Sequence, residues 1–247
     1  MEDAKLTVRA VERALDILLC FTEAAEWSLT EISAKTGLHK STVYRLLTSL
    51  EGKGFVVRDA GTDKYRLGFR IWELSAGLPQ SDDPAAALLP EMERLRDQLG
   101  ETVSLYIRDG KERVRIQAVQ SQQAIRRVAP IGARLPLNVG ASSKVLIAFA
   151  EPDLQERIIG ELEWASPEER DAFIRQLGEI RRNGYATSVE EREPGAAAVS
   201  APIFNRANKL VAALAVSGPA NRLTPEKMKE HAPVIMEAAG RMGKMLK

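Results

Sequence analysis

The chain has 247 residues, enough for one large domain or two smaller ones. Hydrophobic residues make up 45% and charged residues 28%, and the net charge is +1. These values are ordinary for a soluble globular protein and exclude a chain-wide basic character, so any contact with nucleic acid depends on local clustering of charge. No apolar run approaches the roughly 20 residues of a membrane span, and the acidic, amphipathic N-terminus is unlike a signal peptide. A single cysteine excludes a disulfide framework, and we expect a cytoplasmic protein.

The first 55 residues contain three helical patterns. Apolar residues at helical spacing predict an amphipathic helix over about residues 8–23. Ser28 followed by Glu31 is a capping-box pattern that begins a second helix, and Gly37 ends it. A third helix begins at Lys40 or Ser41 and closes at the glycines of residues 52–54.

Two short strand patterns, "FVVRD" and "KYRLG", follow on either side of a turn at residues 60–63. Three helices followed by a hairpin are the element order of a winged helix-turn-helix. This order predicts that the third helix is a recognition helix.

The polar face of this third helix carries cations and short hydroxyl side chains, which suit phosphate oxygens and base edges. Residues 35–70 hold eight basic residues against three acidic ones, a local charge of +5. A solvated helix face is the alternative, and the wing and the local charge favour DNA. The residues that we expect to contact DNA are Lys40, Ser41, Thr42, Tyr44, Arg45, Thr48, Lys64 and Arg66.

A change of character follows the hairpin. "FRIWELSAGL" has a helical pattern, and "PQSDDP" indicates a domain boundary. Beyond it, a helix over residues 85–99, two strand hairpins and further helical patterns indicate an α+β domain built on an antiparallel sheet. The predicted organisation is a DNA-binding domain over residues 1–68, a linker helix and hinge over 69–84, and a second domain over 85–247.

Long motifs in both parts resemble the isocitrate lyase regulator (IclR) family of transcription factors. "RALDILLCF" and "SLTEISAKTGLHKSTVYRLLTSLEGKGFV" are similar to its winged helix-turn-helix domain. "IGARLPLNVGASSKVLIAFA", "RRNGYATSVEEREPGAAAVSAPIF" and "LVAALAVSGPANRLT" are similar to its GAF-like effector-binding domain. The resemblance implies a homodimer or dimer-of-dimers tetramer that binds an inverted-repeat operator in double-stranded DNA. It also implies a response to a small metabolite, often a carboxylic acid.

The second domain offers little for catalysis. With two histidines and one cysteine in the chain, we expect no metal site, no cofactor and no cysteine nucleophile. "EEREPG", residues 190–195, allows an acid/base pair, but a solvated loop or pairing with Arg181, Arg182 and Arg192 is the favoured interpretation. "GASSK" lacks the spacing of a phosphate-binding loop.

Small residues at the start of a helix nevertheless suit an anion, because free backbone N–H groups and the positive end of the helix dipole lie there. Tight helix–sheet packing is the alternative explanation of these small residues. At three positions where members of the family commonly carry an acidic residue, a cysteine and a serine, this chain has Ser188, Ala198 and Ala215. These departures predict a larger, drier pocket for an apolar or aromatic acid. The expected effector contacts are Leu135, Gly140, Ala141, Ser142, Ser188, Ala196, Ala198, Ala215 and Ser217.

Three classes of function are therefore open. The favoured hypothesis is a DNA-binding regulator, a repressor, whose operator affinity depends on a small effector. An architectural DNA-binding protein whose second domain only oligomerises is the alternative. An enzyme with an appended DNA-binding domain is the least favoured, since catalytic side chains are scarce.

Overall fold

A computed structural model describes residues 7–76, 84–128 and 130–246. The chain divides into two compact units, Met1–Ser81 and Asp82–Lys247. The break predicted at residues 79–84 lies almost wholly outside the described residues. None of the described helices is both long enough and apolar enough to cross a membrane.

The first unit is a winged helix-turn-helix, as predicted. Its helices are α1 (Arg9–Cys20), α2 (Leu29–Thr36), α3 (Lys40–Gly52) and α4 (Phe69–Ala76), and its strands are β1 (Glu26–Ser28), β2 (Val56–Arg58) and β3 (Lys64–Leu67). The sheet has the order β1-β3-β2, and both pairs are antiparallel. Strand β1, at three residues, was too short to be predicted from periodicity. The core joins one face of α1, α2 and α3 to the wing, through Ile17, Ile32, Val43, Leu47 and Tyr65.

Local hydrogen bonds fix where α2 and α3 begin and end. The Ser28 hydroxyl accepts from the Glu31 amide, and the Glu31 carboxylate accepts from the Ser28 amide, so the predicted capping box is confirmed. Gly37 ends α2 with φ of 68°, a conformation that favours glycine. His39 caps α3 by accepting from the Ser41 amide at 3.3 Å. The turn between α2 and α3 is therefore fixed at both ends.

The second unit is α+β with an antiparallel sheet, as predicted. Its helices are α5 (Pro84–Ala87), α6 (Leu89–Leu99), α7 (Ala141–Ala148), α8 (Pro152–Glu161), α9 (Pro167–Asn183) and α10 (Pro225–Met245). Its strands are β4 (Thr102–Asp109), β5 (Glu112–Val119), β6 (Arg134–Pro136), β7 (Ala186–Val189), β8 (Ala196–Phe204) and β9 (Leu210–Pro219). The helix predicted over residues 85–99 is interrupted at Leu88, which separates α5 from α6.

The six strands form one sheet in the order β6-β5-β4-β9-β8-β7. Because successive side chains of a strand point to opposite faces, the sheet serves two cores. One face packs on α6 and α10 through residues such as Leu105, Val199 and Leu214. The other face, which carries Tyr106, Ala213 and Ala215, packs on α7, α8 and α9. The sheet thus separates a purely structural face from a face on which small residues predominate at its centre.

Helix α10 approaches the sheet backbone closely at one glycine. A Cβ atom on Gly243 would lie 2.0 Å from the carbonyl oxygen of Phe204 in β8, nearer than real Cβ atoms come to any neighbour. Gly240, three residues earlier in the same helix, would meet nothing within 4 Å. The close packing of α10 on the sheet therefore requires a residue without a Cβ atom at position 243.

We expect Gly243→Ala to lower the free energy of unfolding of the second unit by about 1–3 kcal/mol, since an added methyl group must push α10 away from β8. Gly240→Ala is the matched control and should leave stability unchanged or raise it by up to about 1 kcal/mol through better helix propensity. Differential scanning calorimetry of both variants checks this. Equal midpoints for the two would contradict the close contact.

Candidate effector cavity and DNA-binding face

The helix-covered face of the second unit contains a cleft whose empty volume, measured out to solvent, is about 510 Å³. Every strand of the sheet contributes to its wall. From one edge to the other the contributors are Leu135 in β6, Arg113 and Arg115 in β5, Tyr106 in β4, Ala215 and Ser217 in β9, Ala196 and Ala198 in β8, and Ser188 in β7. The start of α7, with Gly140, Ala141 and Ser142, closes one side.

The nine residues expected to contact an effector all line this cleft. Strand register explains the floor, because Ser188 lies opposite Ala198, and Ala198 lies opposite Ser217. Residues directly opposite in adjacent strands point to the same face, so the three form one row across β7, β8 and β9. Their role as ligand contacts remains a prediction.

The cleft is more polar than the sequence predicts. Four arginines line it, at positions 113, 115, 127 and 192, together with Glu191 and Glu193. Arg113 and Arg115 come from β5, two strands away from the alanine floor on β9. The expectation of a dry pocket was based only on the residues that match the family motifs. The sequence signal for a charged wall is the pair of arginines at alternate positions of the strand "ERVRIQAV".

The guanidinium groups of Arg113 and Arg115 lie against the same aromatic ring. Their Cζ atoms are 5.4 and 5.2 Å from the Tyr106 ring centroid, within the range of cation–π contacts. Arg115 donates from Nε and Nη2 to the Tyr106 hydroxyl, at 3.0 and 2.5 Å. Arg113 donates from Nη1 to the Val139 carbonyl at 2.8 Å and to the Ser143 hydroxyl. Two cations are therefore held side by side within the protein.

Burial lowers the pKa of one of these two arginines, Arg113. The Arg113 residue is only 4% exposed. Burial, with smaller contributions from Arg192 and Arg115, lowers the pKa of Arg113 to about 10, although Tyr106 and Glu191 act in the opposite direction. Its Nε atom is buried and has no hydrogen-bond partner among the described residues, and the same holds for the Ser217 hydroxyl. Arg113 remains a cation at neutral pH in a place that disfavours charge.

The start of α7 does not present free amides in the way that was predicted. The Gly140 amide donates to Glu191 Oε2 at 2.9 Å, so an internal carboxylate already lies where we expected that of an effector. Glu191 Oε1 accepts from the Lys144 ammonium at 2.5 Å, and Lys144 is 1% exposed. Gly140 has φ of 92°, and an added Cβ would meet the Arg113 guanidinium at 2.9 Å. This glycine therefore lets the backbone pass between the two charged groups.

The acidic segment 190–195 is a wall of the cleft. Glu193 pairs with Arg127 and, at 2.7 Å, with Arg192, and the hydrogen bond from Arg127 is the main reason that the pKa of Glu193 is lowered. The predicted pairing with Arg192 is thus found. The predicted pairing with Arg181 and Arg182 is wrong: Arg181 donates instead to the carbonyls of Ala148 and Ala150, and Arg182 forms no ion pair within the described part of the chain.

The predicted DNA face is exposed in the first unit. On α3, Lys40, Ser41, Tyr44, Arg45 and Thr48 are exposed and Thr42 is half-buried, while Val43 and Leu47 on the other side are buried. In β3 of the wing, Lys64 is half-buried and Arg66 is exposed. The helix thus presents one apolar and one polar face, as the spacing of its residues predicts.

The cations of this unit include some that are paired within the described residues and others that are not. Lys35, Arg58 and Arg70 each pair with a carboxylate, those of Glu23, Asp63 and Glu73. The four cations predicted to contact DNA, Lys40, Arg45, Lys64 and Arg66, have no carboxylate within 4.0 Å among the described residues. Their charge is therefore available to an outside anion, as DNA binding requires.

Comparison with known proteins agrees with both halves of this description. A family model described as the IclR helix-turn-helix domain matches residues 10–60, and one described as the C-terminal part of bacterial transcriptional regulator IclR matches residues 80–243. These matches define a DNA-binding regulator of transcription, which is the class of the relatives as well. The chain belongs to the IclR family.

Among its relatives, the transcriptional regulator XynR of Escherichia coli is 32% identical over 94% of this chain and 94% of its own length. The transcriptional repressor AllR of Klebsiella pneumoniae is 31% identical over 96% and 89%. The crystal structure of the Thermotoga maritima IclR covers 94% of this chain and 96% of its own, with 29% identity and a TM-score of 0.75. The resemblance stated from the sequence motifs is thereby confirmed.

Proposed function

We propose that this protein is an effector-responsive repressor, whose affinity for an operator changes when a small organic acid binds in the cleft of the second unit. The observation that carries the proposal is the buried Arg113 in the wall of this cleft, which has no carboxylate within 4.0 Å among the described residues. A buried cation without a counter-charge is costly, which favours binding of an anion. The alanines at positions 198 and 215 support an apolar or aromatic body for the acid. The name of the relative AllR supports repression.

The proposal assigns a role to each of three segments of the chain. Residues 1–68 bind DNA, residues 69–84 form a linker, and residues 85–247 bind the effector. In this arrangement the protein is not an enzyme and acts in the cytoplasm, where its operator lies. The architectural alternative differs in one measurable way, because it requires no response of operator affinity to any small molecule.

We expect Arg45→Ala to relax sequence preference, since an arginine of a recognition helix can bond guanine through two donors, worth about 1–3 kcal/mol of discrimination. Lys40→Ala should weaken binding to all duplexes and flatten the dependence of log K on log salt concentration by about one, the effect of one lost phosphate contact. Fluorescence anisotropy with a duplex selected from a random pool, titrated at several salt concentrations, measures both. Lys229→Ala, an exposed lysine of α10, is the control that should change neither. Wild-type affinity in the double alanine variant would exclude this face.

Self-association is the second part of the proposal. Exposed apolar residues lie on two helices of the first unit, outside the core that joins α1, α2 and α3: Val11, Leu15 and Leu19 on α1, and Phe69, Trp72 and Leu74 on α4. Phe69 and Trp72 stack with ring centroids 5.2 Å apart, so they form one apolar surface. We propose that a second copy covers these residues, since a two-fold protein matches an inverted-repeat operator.

Light scattering after size exclusion at micromolar concentration should therefore give a mass of two or four chains. Leu15→Lys combined with Trp72→Lys should lower that mass, because charged side chains oppose burial of both surfaces. Ile174→Lys, at an exposed apolar residue of α9, is the matched control and should leave the mass unchanged. A wild-type protein that elutes only as a monomer would exclude the assembly.

The effector site is tested by filling its floor. Ala198→Leu puts a larger side chain where the body of an acid would lie, so it should abolish stabilisation by organic acids and leave operator binding intact. Ala207→Leu makes the same change in the exposed turn between β8 and β9 and should alter neither. Thermal shift of the full chain with a panel of organic acids, followed by operator binding with each active compound, is the measurement. Equal affinity of Ala198→Leu and wild type for an active acid would place its site elsewhere.

A further inference from the structure

The charges that line the cleft do not balance. Four arginines and the buried Lys144, which binds Glu191, face two glutamates, which leaves a net charge of +3. Charges in a partly enclosed cleft are weakly screened, so an excess of one sign attracts ligands of the other sign and selects among them by charge.

The glutamates already have partners. Glu191 accepts from Lys144 and from the Gly140 amide. Glu193 pairs with Arg127 and Arg192. Neither glutamate lies within ion-pair distance of Arg113 in the described structure.

Arg113 meets the conditions for an anion contact. It is 96% buried by residue surface, and within the described part of the chain only one of its terminal nitrogens, Nη1, forms hydrogen bonds, to Val139 and Ser143. Its Nε has no partner among the described residues. Arg115 adds a second cation against the same Tyr106 ring. The planar guanidinium group is suited to carboxylates, which it can bind through two parallel hydrogen bonds.

We propose that the ligand of this cleft is a dianion, a dicarboxylic acid, with one carboxylate bound to Arg113. The inference rests on the proposed effector function and adds the charge of the ligand to it. A monocarboxylate would leave two excess positive charges at the cleft, whereas a dicarboxylate would leave one. The charge of the second carboxylate is thus what distinguishes this ligand from simple organic acids.

The test compares acids that differ by one carboxylate. Succinate, glutarate and adipate are each paired with the straight-chain monocarboxylate of equal length, and isophthalate and terephthalate with benzoate, all at constant ionic strength. Thermal midpoints of the full-length protein identify active compounds, and titration calorimetry gives Kd. For at least one pair we expect the diacid to bind at least about tenfold more tightly, since truncating one partner of a buried charge pair has effects of this size.

Arg113→Gln should reduce that ratio to near one. The glutamine removes the charge but keeps an amide donor for Val139 and Ser143, so the wall of the cleft is retained. Arg113→Lys restores a charge and should restore part of the preference. Arg134→Met removes a cation from β6 that is half-exposed and pairs with Asp109 and Glu112, and it should leave the ratio unchanged.

Each failure has a distinct meaning. A wild-type protein that binds no diacid more tightly than its monoacid partner overturns the proposal, and so does an Arg113→Gln variant that keeps the ratio. If monoacids bind equally well and Ala198→Leu abolishes their binding, the dianion is excluded and the effector function stands. If no acid of either kind responds to Ala198→Leu, the cleft is not the effector site and both proposals fall.

Discussion

The ammonium group of Lys144 lies inside the second unit, in the first turn of α7, and needs a counter-charge because an isolated buried cation is strongly destabilising. Glu191 supplies it from the segment that joins β7 to β8, and the same carboxylate accepts from the Gly140 amide at the start of the helix. One side chain thus neutralises the lysine and satisfies a helix N-terminus. The segment 190–195 is drawn over the sheet as a result. The pair thereby holds one wall of the cleft against the start of α7.

Sheet geometry supplies the rest of the cleft. Alanine and serine at facing positions of β7, β8 and β9 leave space under α7, where larger residues would fill the core. Arginines from β5 reach the same space from the other side of Tyr106. The small residues that leave space in the cleft come from β7, β8 and β9, whereas the arginines come from β5. These strands belong to different halves of one sheet, which meet at the β4–β9 pair.

Sequence reasoning reached some of this arrangement and missed the rest for definable reasons. Helices α2 and α3 follow from the capping box at Ser28 and the spacing of apolar residues, both of which are local signals. Strands β1, β6 and β7 have only three or four residues and exist because longer neighbours pair with them, so no local pattern reveals them. The alanine floor was accessible through resemblance of motifs. The place of Arg113 and the Lys144–Glu191 pair depends on contacts between residues 30 and 47 positions apart, which periodicity does not encode.

The alternation of side chains in β8 and β9 has a consequence for how such proteins diversify. Side chains on one face of these strands, such as those of Val199 and Leu214, pack against α6 and α10. Side chains on the opposite face, such as those of Ala198 and Ala215, face the cleft. A mutation at a cleft position alters what fits inside without disturbing the packing on the opposite face. The shape of the cleft and the packing of the scaffold are therefore encoded by separate sets of positions within the same strands. A lineage built on this sheet can reshape the cleft by a few substitutions while the scaffold persists.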